Sequence, residues 1–188
     1  MTLQRLLLTV AAPALLVLNA STVLAQVTIS DDLTTPVNTS TAGEGGTPSD
    51  VTIDSNGSVT LSTSGTAVTL DSDSTLINSG AISSNDVDNV TGVEIQGGNT
   101  GSFSNAGSIS MVESFTGTDT DDDRVVDGDF AEGTGRTGIL ISGASPFVGN
   151  VIQTSAGRIE IEGNDSFGIR LAQPSTLTGD MDLNGAFS

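Results

Sequence analysis

From Val51 onward the chain alternates apolar and polar side chains in very short runs. They are VTI at 51–53, VTL at 59–61, VTL at 68–70, VEI at 93–95, ILI at 139–141, IEI at 159–161, IRL at 169–171 and MDL at 181–183. A period of two places the outer pair of each run on one face and the middle residue on the other, which is strand spacing. The runs are rich in β-branched residues and bounded by Gly, Asn, Ser or Asp, so each predicts a strand between turns. No segment after the N-terminal apolar run sustains a helical period.

Strands this short are marginal alone, and repetition answers how they make a stable body. A Gly-led strand occurs as Thr91-Gly92-Val93-Glu94-Ile95, Thr137-Gly138-Ile139-Leu140-Ile141 and Phe167-Gly168-Ile169-Arg170-Leu171. It alternates with a turn and strand, Asn78-Ser79-Gly80-Ala81-Ile82, then Asn105-Ala106-Gly107-Ser108-Ile109, and a looser Thr154-Ser155-Ala156-Gly157-Arg158-Ile159. Gly80 and Gly107 are 27 positions apart, and Gly138 and Gly168 are 30 apart. A period of this size with two or three strands per unit predicts an all-β solenoid, a parallel β-helix of about five turns over 51–188. The regular spacing argues against a β-sandwich binding module, the other all-β possibility.

In such a coil Asn78 and Asn105 read as structural turn residues that hydrogen-bond one another in a ladder, rather than as sugar ligands. Gly80 and Gly107 are expected to supply positive φ at the corner. The interval from Gly107 to Gly157 is 50 positions, which predicts an extra loop, the acidic insertion 113–136. The final LTGDMDLNGAFS ends after a turn-like Asn184-Gly185 without a polar cap, which predicts a chain that continues as part of something longer.

The N-terminus has a different pattern. Arg5 precedes an apolar run from Leu6 to Leu18, and Val23-Leu24-Ala25 offers small residues for a signal peptidase, so residues 1–25 read as a signal peptide cleaved after Ala25. The run is too short to cross a bilayer. Residues 26–50, exemplified by TTPVNTSTAGEGGTPSD, are Thr-, Ser-, Gly- and Pro-rich and read as an irregular lead-in or linker.

Charge narrows the partners. Without Arg5, four arginines face 23 acidic residues, a formal charge of −19. Nucleic acid and anionic lipid need clustered cations and are disfavoured. The chain has no Cys, His, Lys, Trp or Tyr. Disulfides, a lipidated cysteine, Ser-His-Asp catalysis and lysine chemistry are therefore excluded.

Taken together, LINSGAISS, FSNAGSISM, TGVEI, TGILI and FGIRL resemble the passenger repeats of bacterial autotransporters and related exported β-helical adhesins. The resemblance covers roughly residues 66–185. It implies a right-handed parallel β-helix, export through the periplasm to the cell surface or beyond, adhesion to a host surface or self-association, and a C-terminal outer-membrane β-barrel. No ten-residue alternating barrel strands occur within these 188 residues.

Candidate chemistry is sparse. The insertion carries Asp119, Asp121, Asp123, Asp127 and Asp129, alternating carboxylates of the kind that can wrap Ca2+. The EF-hand pattern fails, because Arg124 stands six positions in and Phe130 twelve. A solvated projecting loop is the preferred reading, and no cofactor is assigned. The alternative function is a β-helix polysaccharide lyase or hydrolase, for which Asp71 with Asp73 and Glu160 with Glu162 are the carboxylate pairs available. Such pairs are expected by chance in a chain this acidic. Sequons at Asn38, Asn56, Asn89 and Asn164 follow from Ser/Thr-rich composition.

Overall fold

The computed structural model describes residues 25–188. The predicted signal peptide lies outside the described residues except for Ala25. Strands succeed one another in threes. The first coil is β1 (Gln26–Ile29), β2 (Asp32–Leu33) and β3 (Val37–Asn38), and the second is β4 (Asp50–Ile53), β5 (Ser58–Leu61) and β6 (Gly65–Leu70). The third comprises β7 (Thr75–Asn78), β8 (Ala81–Asn85) and β9 (Val90–Gln96). The fourth comprises β10 (Thr100–Asn105), β11 (Ser108–Val112) and β12 (Thr137–Ser142). The fifth comprises β13 (Phe147–Gln153), β14 (Arg158–Ile161) and β15 (Phe167–Leu171). A sixth begins with β16 (Leu177–Thr178), β17 (Met181–Leu183) and β18 (Ala186–Phe187).

Each strand pairs in parallel with its counterpart one coil away, which builds three sheets: β1-β4-β7-β10-β13 with β16 and β17, β2-β5-β8-β11-β14-β18, and β3-β6-β9-β12-β15. This is a parallel β-helix, as the strand pattern predicts. Short strands suffice because each interior strand has partners on both sides.

The period-two positions become columns. Val51, Leu76, Phe103 and Val151 stack in register in the first sheet, Val59, Ile82, Ile109 and Ile159 in the second, and Val68, Val93 and Ile139 in the third. All are buried in one continuous core. Each such aliphatic side chain contributes about 1.5–3 kcal/mol when fully withdrawn from water. In the sixth coil the first two columns continue as Met181 and Phe187, which are 40% and 46% exposed.

Two expectations are corrected. Residues 26–38 are not a linker but the first coil: Val27 is in register with Val51, Leu33 with Val59 and Val37 with Val68. Its two-residue strands are too short to display a period of two, and their partners come from the next coil. A 3-10 turn at Glu44–Gly46 then leads into β4. The second correction concerns the corner glycines. Gly80 and Gly107 do not have positive φ; the reason for glycine there is room. A Cβ on Gly107 would lie 2.2 Å from the Gly80 carbonyl oxygen, and one on Gly80 would lie 2.2 Å from that of Gly57. Stacked coils approach so closely at this corner that no side chain fits. The Gly-led strands have a related cause, since a Cβ on Gly92 would meet Ile109 Cγ2 at 2.7 Å inside the core.

Candidate functional site

The turn residues build an interior ladder. Asn78 and Asn105 are fully buried, and Asn78 Nδ2 donates to Asn105 Oδ1 at 2.7 Å. Asn105 Nδ2 donates in turn to Gln153 Oε1, also at 2.7 Å, so Gln153 is a third rung in the same column. Asn78 Nδ2 also reaches the Ser108 carbonyl at 3.1 Å, tying the rung to the next coil's strand. The polar column runs between apolar neighbours, Ile53 before it and Leu183 after it. The Asn78 and Asn105 amides are bonded within the stack, while Gln153 Nε2 at the end of the ladder is buried without a partner, and all three amides are withdrawn from solvent, a structural role.

The insertion departs from the corner between β11 and β12, and its base is held by the equivalent corners of the coils on either side. On one side, Asp86 accepts the Ser114 N–H at 2.6 Å and the Ser114 hydroxyl, while Asp88 accepts the Thr134 N–H at 2.8 Å. On the other, Glu162 accepts the Glu113 N–H at 3.0 Å, and the Asn164 amide donates to the Ala131 carbonyl at 2.8 Å. Arg136 sits at the centre, 1% exposed. Its Nη1 donates to Glu113 Oε2 at 3.0 Å and to the Glu162 carbonyl at 2.9 Å, and its Nε donates to the Val87 carbonyl at 2.9 Å. Nη2 lies 3.6 Å from Asp88 Oδ1. Glu113 also accepts the N–H groups of Glu132 and Gly133, so one carboxylate joins both ends of the insertion.

The electrostatics follow this geometry. Burial pushes the Glu113 carboxyl up, but the Arg136 hydrogen bond, the Gly133 and Glu132 N–H groups and the Arg136 charge outweigh it and hold it below the usual range. Asp86 is held low by the Ser114 N–H and hydroxyl, with Arg136 adding to them. A buried guanidinium is tolerated here because four acceptors surround it.

Towards its tip the insertion satisfies its own backbone. Thr118 and Asp127 form an antiparallel bridge, and Asp127 accepts from the Thr120 hydroxyl and N–H, which lower its pKa. Asp119 accepts from the N–H groups of Asp123 and Arg124. Of the five predicted acids, Asp119, Asp121 and Asp127 converge, with one carboxylate oxygen from each lying within 4.8 Å of the others. Asp123 and Asp129 stand outside that group, and Asp123 accepts the Val125 N–H instead. Giving one oxygen each, these three carboxylates supply half or less of the six to eight oxygens that Ca2+ takes. Val125, in the same outer stretch, is 59% exposed, and Phe130, which lines a cleft with Glu113, Glu162 and Asn164 at the base, is 79% exposed.

The carboxylate pairs considered for hydrolysis have other partners. Asp71 accepts from Ser40 N–H and hydroxyl, Asp73 from the Thr100 N–H at 2.7 Å, and Glu160 pairs with Arg158 at 3.1 Å. Sequence reasoning missed the Arg136–Glu113 clamp and this use of acids as acceptors for the next coil's N–H groups. Asp50 accepting from Thr75 is another case, and an acid 25 to 27 residues before a strand-opening Thr was the signal available. Among the described residues no helix is long and apolar enough to cross a membrane. Comparison with protein-family models, with curated proteins and with solved structures finds no match to this chain.

Proposed function

We propose that the chain is an exported, cell-surface or secreted β-solenoid segment of the autotransporter-passenger kind, whose task is presentation and not catalysis: a stiff acidic rod holds the insertion out for adhesion or self-association. The observation that carries this reading is the insertion itself. Among the described residues a single long excursion leaves an otherwise regular stack, its base is fixed by a buried Arg136–Glu113 pair and exposes Phe130, and its outer part exposes Val125 among carboxylates. Rigid elements bearing variable loops are a common way to place a binding surface. The passenger-like phrases and the signal-like N-terminus add the exported location.

The test displays the full chain on an otherwise non-adherent bacterium. Settling and binding to host-cell and extracellular-matrix surfaces are then compared with a version in which residues 117–129 are replaced by a short Gly-Ser turn. Adhesion or self-association that depends on the insertion is the expected result. Release of unsaturated or reducing sugar from a polysaccharide panel by the purified chain, with no adhesion, would replace this reading with the enzymatic one.

A further inference from the structure

We propose that the insertion is a processing site for an arginine-specific serine protease, cut between Arg124 and Val125, and that the two pieces remain stacked as one solenoid. The described residues contain four arginines, and their surroundings differ sharply. Arg136 is buried within its ring of acceptors. Arg158 lies in β14, paired on one side with β11 and on the other with β18, and its guanidinium is engaged by Glu160 and the Ser188 hydroxyl. Arg170 lies in β15, in register with Leu140, with its guanidinium 5.0 Å from the centroid of the Phe167 ring. Arg124 alone of the four combines a place outside the strands with an exposed stretch, and it is followed by the 59%-exposed Val125.

A protease must draw roughly ten residues of backbone into an extended form, so it cuts where opening exposes no core. Around Arg124 the opening costs little. The N–H groups of 123, 124 and 125 are held only by the carboxylates of the half-buried Asp119 and the exposed Asp121 and Asp123, and the one backbone bridge is Thr118 with Asp127. Cutting within β14 or β15 would require strands to leave the stack. The protease that fits has a carboxylate at the base of its primary pocket to take the guanidinium and a basic surface beside it to meet Asp121, Asp122 and Asp123. In the reaction water adds across the peptide bond, leaving a carboxylate on Arg124 and an amine on Val125.

The pieces do not part, because the cut lies outside everything that joins them. The upstream piece keeps β1 to β11 and the downstream piece β12 to β18, and they meet through three parallel pairings, β9 with β12, β10 with β13 and β11 with β14. The Arg136–Glu113 pair adds a fourth tie next to the cut.

Limited digestion of the full chain with trypsin tests this, read by intact mass, denaturing gel and size-exclusion chromatography. The expected first cut within the described residues follows Arg124, giving two fragments on the gel that elute together at the uncut position. Arg124→Gln removes that cut and slows loss of the intact chain at least about tenfold, since the remaining sites require opening of the stack; Arg170→Gln leaves the first cut unchanged. A first cut after Arg158 or Arg170, equal digestion of Arg124→Gln, or separation of the fragments without denaturant would overturn the proposal.

Discussion

In the stacked coils a polar group finds its partner one or more coils away, whereas in the insertion it finds one a few residues along. Asn78 and Asn105 bond across 27 positions, and Asn105 and Gln153 across 48. In the insertion Asp119 reaches the Asp123 N–H four residues on, and Thr120 reaches Asp127 seven residues on. Damage to a coil is therefore felt by its neighbours, because ladder, columns and corners are shared. Damage to the outer insertion stays local. Only at the base do the two regimes meet, where Arg136 and Glu113 bond to both adjacent corners.

The largest effect is expected at a corner of the stack. Gly107→Val places a branched side chain against the Gly80 carbonyl, where even a Cβ would sit at 2.2 Å. Overpacking against backbone that cannot move is expected to cost upwards of about 3 kcal/mol and to lower the urea midpoint of the whole body. A small shift confined to one end would mean that coils do not share their stability.

Arg136→Met tests the junction. It leaves Glu113 beside a cation-free pocket, and the expected loss is roughly 3 kcal/mol, at the low end for a broken buried pair because Asp88 is 52% exposed and opens the site to water on one side. Replacing Glu113 by Gln as well should recover part of that loss, and a double-mutant cycle measures the coupling directly. Asn105→Ala removes both bonds of the central rung and orphans the Gln153 carbonyl, with an expected cost of about 2 kcal/mol by chemical denaturation. An effect below about 0.5 kcal/mol would mean that the ladder is ornamental.

Acid sharpens the comparison with a smaller effect. The native Glu113 and Asp86 carboxyls are held below their ordinary values, so their anchoring of the insertion is complete above the usual carboxylate range and is lost as pH falls through the lowered native values. Protonating the many other acids meanwhile relieves repulsion along the rod, which acts in the opposite direction on the body. The readout is therefore local. The Gly133 and Ser114 amide resonances, whose N–H groups these two carboxylates hold, should titrate with midpoints below the ordinary value of the acid that holds each. Midpoints at or above that value would contradict the clamp.

What the sequence made legible was whatever the stack repeats. Period-two runs marked the columns, Asn78 and Asn105 marked the ladder, and the stretched interval after Gly107 marked the insertion. The unreadable parts each have a physical cause. Leu33 and Val37 sit in strands of two residues, where no alternation can appear, so the first coil passed for a linker. Gln153 escaped notice because its corner is longer: four residues, Thr154 to Gly157, separate it from Arg158, whereas Ser79 and Gly80 alone separate Asn78 from Ala81. Gly107 was assigned the wrong virtue, since close approach of a neighbouring coil is a three-dimensional fact. Arg136 lies 23 residues from Glu113, and only the corner geometry joins them.

The central claim is a division of labour, in which the coils make the fold and the insertion is carried by them. Its most direct test is the urea unfolding of the chain with residues 117–129 replaced by a short Gly-Ser turn, a change that retains Glu113 and Arg136. A single cooperative transition is expected, with stability within about 1 kcal/mol of the parent, as for shortening an exposed loop. A loss of several kcal/mol, or a transition that splits in two, would contradict it.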